Sequence, residues 1–227
     1  TVFNRYFFMH IKTFSSETLW IEATTTFITS CLNTATNTHI ALSGGSTPIP
    51  IYTSLGEGTH PFDNLHLYLV DERYTSLEST DSNYRSIFDT FVSRVKGLSS
   101  RFHFFDTSIP IKEAITQYTK ILPEQFDLTI VGIGPDGHTA SLFPHSSALS
   151  DMSTSVTHTT TDIFSIHDRL TLTFPPILNS KKLLILLRGE NKKTVIEHLT
   201  DNTISSDAFP AKYLLNHPDL TIYYCSC

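Results

Sequence analysis

Gly132-Ile133-Gly134-Pro135-Asp136-Gly137-His138 sets an imidazole among glycines directly behind the apolar run from Phe126 to Val131. Glycines free the backbone of side-chain bulk, so a loop of this kind can bring amides and an imidazole close to a small molecule. Imidazoles exchange protons near neutral pH, which suits His138 to general-base work. A second group, Ser43-Gly44-Gly45-Ser46-Thr47-Pro48, follows the short apolar run His39 to Leu42. Thr47 is expected to cap a helix whose first position is Pro48. Hydroxyls, free backbone N–H groups and a helix N-terminus together make an anion site. The pattern is neither a Walker loop nor a dinucleotide fingerprint, because it has no Gly-Lys-Ser and no third glycine. Charges gather again in Asp71-Glu72-Arg73, after Leu65 to Val70, and in Arg188-Gly189-Glu190-Asn191-Lys192-Lys193, after Lys182 to Leu187. Each loop alone is also what a solvated turn looks like. Four of them, each behind an apolar strand, describe one polar edge of a sheet.

The elements that must position these loops are legible from periodicity. A helix is expected from Ser16, with Leu19, Trp20, Ala23, Phe27, Ile28, Cys31 and Leu32 at helical spacing. Asp81 or Ser82 should cap a helix carrying Ile87, Phe88 and Phe91, and a further helix should span Pro110 to Leu122. Strands are expected at residues 2–11 (or an extended arm), 39–42, 65–70, 102–105, 126–131, 169–174, 182–187 and 220–224. Asp71 to Tyr74 is read as a loop, Ser146 to Thr161 as a surface loop, and the residues after His138 as a helical turn. Strands alternating with helices give an α/β fold with a largely parallel, doubly wound sheet and helices on both faces, all within one domain over residues 1–227.

Composition narrows the class. A formal net charge of −6 argues against nucleic acid as a partner, and no apolar run approaches a membrane span or forms a signal peptide ahead of the first periodic segment. A phosphorylated small molecule suits an acidic protein with a local cluster of cations. Three cysteines, Cys31, Cys225 and Cys227, form no disulfide framework, so a reducing, cytoplasmic location is expected. Cys225-Ser226-Cys227 lacks the second pair that a zinc site needs and reads as a frayed terminus.

SGGSTP at Ser43–Pro48, VDERY at Val70–Tyr74, SNYR at Ser82–Arg85 and GIGPDGHTASLFP at Gly132–Pro144 resemble the 6-phosphogluconolactonase family. RLTLTFPPILNSKK at Arg169–Lys182 and GENK at Gly189–Lys192 agree, in family order. In the related glucosamine-6-phosphate deaminases the histidine is followed by an Ile-Gly-Phe-Asn-Glu-Pro type sequence, which Thr139–Pro144 does not match. Tyr74-Thr75 departs from the family's usual apolar residue and proline. The resemblance implies metal-free, cofactor-free hydrolysis of a sugar-phosphate lactone by a monomer or weak homo-oligomer. His138 would be the base, with Asp71 binding sugar hydroxyls or orienting the imidazole. Arg73 or the glycine-loop amides, including those of Gly134, Asp136 and Gly137, would meet the oxyanion. The Ser43, Gly44, Gly45, Ser46 and Thr47 loop, with Arg169 and Lys192, would hold the phosphate. A triad using Ser141 ranks below direct attack by water, since no nucleophile elbow is present. An isomerase or deaminase of the same superfamily, and a non-catalytic sugar-phosphate sensor, are the alternatives.

Overall fold

Short runs rich in Leu, Ile and Val become parallel strands, and the amphipathic stretches between them become crossover helices. The computed structural model describes residues 10–227. Its elements run β1 (His10–Phe14), α1 (Glu17–Ser30), β2 (Thr38–Leu42), α2 (Ile49–Glu57), β3 (Leu65–Leu69), β4 (Asp71–Arg73), α3 (Asn83–Thr90) and β5 (Phe102–His103). There follow α4 (Ile111–Ile121), β6 (Leu128–Val131), β7 (Val156–Thr160), β8 (Asp168–Leu172), α5 (Phe174–Leu178), β9 (Lys182–Arg188), α6 (Lys193–Thr200) and β10 (Leu220–Cys225). Of the strand or arm expected over residues 2–11, all but the last two residues lie outside the described residues.

Seven strands form one sheet in the order β1-β10-β9-β6-β2-β3-β5, and every neighbouring pair is parallel. The α/β reading with a parallel sheet therefore holds. The central strands are buried throughout: Ile40 to Leu42, Leu128, Ile130, Val131 and Leu183 to Leu187 belong to one hydrophobic core, with the polar Thr129 buried among them. Such continuous burial requires cover on both faces. From β2 the chain steps outward to β3 and β5; from β6 it steps the other way, to β9 and β10. The strand order thus reverses between β2 and β6, the place where open sheets of this type leave a crevice at their carboxyl ends. Ser43, just past β2, still donates its N–H to Ile130 O of β6 at 3.0 Å. The two glycine-bearing loops consequently leave the sheet side by side.

Four expectations are corrected. Asp71 to Arg73 is not a loop but the strand β4, antiparallel to β8 in a second sheet ordered β4-β8-β7. The stretch 146–161 is not irregular throughout, because its Val-Thr-His-Thr-Thr end is β7; β-branched residues suit a strand even when they are polar. No helical turn follows His138: Ala140 has φ +53°, and Thr139 Oγ1 donates back to Gly132 O at 2.9 Å. A left-handed residue and a side chain bonded to upstream backbone both stop a helix. The C-terminus is not frayed. Cys225 is buried in β10, its carbonyl accepts from Gly189 N at 2.9 Å, and it forms a disulfide with Cys227. Helix starts also differ in detail. Ser82 caps α3 through its side chain as expected, whereas α2 begins at Ile49 with Pro48 in the cap position and no side-chain cap from Thr47.

Candidate active site

At the strand-order reversal lies a cavity of about 230 Å³. Its wall brings together Ser43, Gly44, Gly45, Ser46 and Thr47 after β2, Asp71 and Arg73 of β4, Gly134 and His138 after β6, and Arg169 of β8. Three residues named from the sequence do not line it. Asp136 and Gly137 sit within the glycine loop but support the wall, and Lys192 donates from Nζ to Ile133 O at 2.6 Å. Burial pushes the Lys192 ammonium below its ordinary value, partly offset by the Asp136 carboxylate.

The glycine loop is built around the imidazole. Gly134 N donates to His138 O at 2.8 Å and Gly137 N to Gly134 O at 3.1 Å, closing a tight turn. A Cβ on Gly134 would overlap His138 Nδ1 and Cε1, so only glycine leaves the ring its place. Gly137 has φ +85°, and Phe209 packs where its side chain would go. Asp136 Oδ1 accepts from His138 Nδ1 at 2.5 Å. Burial alone would raise the Asp136 carboxyl; the hydrogen bond and charge of His138 outweigh it, leaving the group below its usual value. With Nδ1 so engaged, Nε2 is the nitrogen left for chemistry. Asp136, and not Asp71, is therefore the partner of His138. Phe143 and Phe164 flank the ring at centroid distances of 5.1 and 5.7 Å.

Arg73 and Arg169, also on the cavity, stand directly across from one another in the β4–β8 pairing. Arg169 is 5% exposed, donates from Nε to Ile166 O at 3.0 Å and lies over the Phe164 ring at 5.4 Å. Burial depresses its guanidinium, the neighbouring Arg73 depresses it further, and Asp71 and Glu72 oppose the shift. Arg73 donates from Nη1 to Asp81 O, while its buried Nε has no hydrogen-bond partner. Two adjacent guanidinium groups are unfavourable to assemble unless an anion shares them. The Gly/Ser loop lies on the same cavity; α2 itself adds few free N–H groups, since Pro48 and Pro50 have none and Ile51 N and Tyr52 N donate to Pro48 O.

The two carboxylates of β4 diverge. Asp71 stays at the cavity, accepting from Ser141 Oγ at 2.6 Å and from Asn83 Nδ2 at 3.2 Å. Glu72 turns into the protein, fully buried, and takes Asn83 N, Tyr84 N, Arg73 N and Ser82 Oγ within 2.7–3.0 Å. It acts as an internal cap on α3, although burial raises its carboxyl against those bonds. Because Ser141 donates to Asp71 and His138 pairs with Asp136, these are two separate pairs and not a serine, histidine and aspartate wired in series as a triad.

Residues 17–222 match the family described as glucosamine-6-phosphate isomerases/6-phosphogluconolactonase. The chain is 37% identical over 188 residues to a 6-phosphogluconolactonase of Thermotoga maritima, covering 82% of each chain. The chain belongs to this family. A crystal structure of 6-phosphogluconolactonase from Thermotoga maritima superposes with a TM-score of 0.85 at 29% identity, covering 96% of this chain and 99% of that one. A monomeric glucosamine-6-phosphate deaminase also superposes at 0.85, with 21% identity, covering 96% and 97%. The likeness to the deaminase shows that the fold alone does not choose the chemistry, which must come from the side chains. Among the described residues no helix is long and apolar enough to cross a membrane.

Polar and aromatic wall residues that sequence reasoning did not name as part of the binding site are Asn83, Ser141, Phe143 and Phe164. Asn83 looked like part of a helix cap, and Ser141 was considered only as a nucleophile. Phe164 lies in the β7–β8 connection, whose place beside His138 depends on a strand pairing that the sequence did not announce.

Proposed function

We propose that the protein hydrolyses 6-phosphoglucono-δ-lactone to 6-phosphogluconate as a step of the oxidative pentose phosphate pathway. The observation that carries the reading is His138, backed by Asp136, on a cavity also lined by Arg73, Arg169 and the Ser43–Thr47 loop. A lactone carbonyl is already electrophilic, so it needs an activated water, a stabilised oxyanion and a held substrate. His138 Nε2 takes a proton as water adds to the carbonyl carbon, and the tetrahedral intermediate expels the ring oxygen. His138 returns the proton to that oxygen, and the new carboxylic acid ionises. Arg73 or the glycine-loop amides stabilise the oxyanion, and Asp71 meets sugar hydroxyls. Arg169 and the Ser43–Thr47 loop hold the phosphate. Lys192 acts from behind the loop, steadying it through the Ile133 carbonyl. A working monomer or weak homo-oligomer in a cytoplasmic setting belongs to the proposal as the family likeness implies it, although the Cys225–Cys227 disulfide departs from the reduced cysteines expected there. The Thr139–Pro144 sequence, unlike that of the deaminases, supports hydrolysis over deamination.

The test is a substrate panel on purified protein. The expected result is opening of 6-phosphogluconolactone above the spontaneous rate, far slower opening of unphosphorylated gluconolactone, and no ammonia from glucosamine 6-phosphate. Ammonia release without lactone opening would overturn the proposal, as would binding of 6-phosphogluconate with no turnover.

A further inference from the structure

We infer that Asn83 is a positioning residue that holds the Asp71 carboxylate and the Ser43–Thr47 loop in one register, and so sets the span of substrate the site accepts. The inference rests on the lactonase reading. Asn83 is the first residue of α3, 2% exposed and on the cavity wall. Its backbone N–H is fixed by Glu72 Oε1 at 2.8 Å, which ties the start of α3 to β4. Its side chain then reaches back to the residue before Glu72: Nδ2 donates to Asp71 O at 2.8 Å and to Asp71 Oδ1 at 3.2 Å.

Those two acceptors decide the amide's orientation, because the flipped form would set oxygen against oxygen. With both N–H groups committed to Asp71, the carbonyl end has one place to go. Oδ1 is buried without a hydrogen-bond partner and lies against Gly44, where any Cβ would overlap it. A buried, unpaired amide oxygen is unfavourable. It is kept here by the bonds at the amide's other end, and the consequence is steric: the planar amide acts as a spacer between Asp71 and Gly44. Ser141 holds the far side of the same carboxylate, donating to Asp71 Oδ2 at 2.6 Å, and is itself locked by Thr171 Oγ1 and Thr159 Oγ1. Asp71 can therefore not shift to accommodate a moved loop. The sugar-facing carboxylate and the phosphate-facing loop are coupled through one side chain.

A double-mutant cycle of Asn83→Ala and Gly44→Ala tests this, with kcat and KM for the lactone and the inhibition constant of 6-phosphogluconate measured for each protein. Asn83→Ala is expected to lower kcat/KM roughly tenfold or more, with both parameters affected, because loop and carboxylate lose their common spacer. Gly44→Ala, which forces the amide away, should cost roughly fivefold less in the Asn83→Ala background than alone. Multiplicative effects, or an Asn83→Ala protein that loses thermal stability but keeps wild-type kcat and KM per folded molecule, would overturn the inference. Should Asn83→Ala not fold, Asn83→Ser keeps a short donor and serves in the same cycle. A wild-type protein that fails to open the lactone contradicts the lactonase reading instead. The cycle is then read from 6-phosphogluconate binding by calorimetry, where coupling supports the spacer and additivity overturns it.

Discussion

Asp136 Oδ1 lies 2.5 Å from His138 Nδ1, and a single glycine separates the two residues in the chain. Gly137 makes this short-range pairing geometrically available: its φ of +85° folds the backbone so that the carboxylate and the imidazole of residues two apart meet. The pairing fixes the tautomer that presents Nε2 to the cavity. Asp136→Asn keeps the shape but replaces the acceptor with an amide that can stabilise the wrong tautomer. We expect kcat to fall roughly 10²-fold or more with KM changed little, as for other histidines deprived of an orienting carboxylate. Equal kcat in Asp136→Asn and wild type would show that the pairing is structural only.

The facing arginines make a separate prediction. Arg169→Ala should raise KM roughly tenfold or more while leaving kcat within a few-fold, because a phosphate contact made equally in ground and transition states changes KM alone. Arg169→Lys should restore little, since an ammonium lacks the planar fork and cannot lie across Phe164 as the guanidinium does. Steady-state kinetics on the lactone checks both.

Glu72 is placed for stability. Removing its carboxylate in Glu72→Ala strands the Asn83 and Tyr84 N–H groups and the Ser82 hydroxyl at the start of α3, and the Arg73 N–H in β4. Each unmet buried donor costs about 1–3 kcal/mol, so a loss of about 3 kcal/mol or more is expected in urea unfolding. A loss within about 0.5 kcal/mol, the range of ordinary surface substitutions, would contradict the capping role.

Outside the cavity lining, His39 pairs in register with His66 across β2 and β3, and His103 of β5 pairs with Tyr68 of β3. His66 Nδ1 and His103 Nε2 are 3.2 Å apart, in nearly parallel rings, and His39 Nδ1 bonds Tyr68 Oη at 3.1 Å. Burial, and then His66 and His39, push the His103 imidazole down to about 4. Burial lowers His66 too, with His39 and Arg101 adding to the shift, and it lowers His39, where Lys181 adds and Asp127 opposes. An unfolded histidine titrates near 6.5, so as pH falls the unfolded chain takes up the proton first. The stabilising contribution is complete above about pH 6.5 and is lost progressively as pH falls towards about 4. Thermal unfolding between pH 7.5 and 4.5 should show a falling Tm over that window, with a shallower slope in His103→Phe. An unchanged slope would contradict the assignment.

The parallel sheet was readable because its strands are buried on both faces and so appear as unbroken apolar runs, such as Leu183 to Leu187. Glycine loops announced the cavity for a related reason: no side chain at Gly134 or Gly44 could occupy the space that His138 and Asn83 fill. What stayed hidden was pairing between distant segments. β7 is a polar Thr-rich strand, and β4 is three residues long. Neither carries a periodic apolar signal, yet their partnership with β8 sets Arg73 across from Arg169 and carries Phe164 to His138. The division of labour between Asp71 and Glu72 was hidden likewise. Adjacent strand residues point to opposite faces, but which face holds the cavity depends on the second sheet.

The most direct measurement is 6-phosphogluconolactone opening by wild-type protein and His138→Ala side by side, with spontaneous opening subtracted and product read through a coupled dehydrogenase. If His138 is the base, the wild type turns over and His138→Ala loses about 10²–10⁴-fold in kcat while still binding 6-phosphogluconate. Wild-type kcat in His138→Ala would contradict the account at its centre.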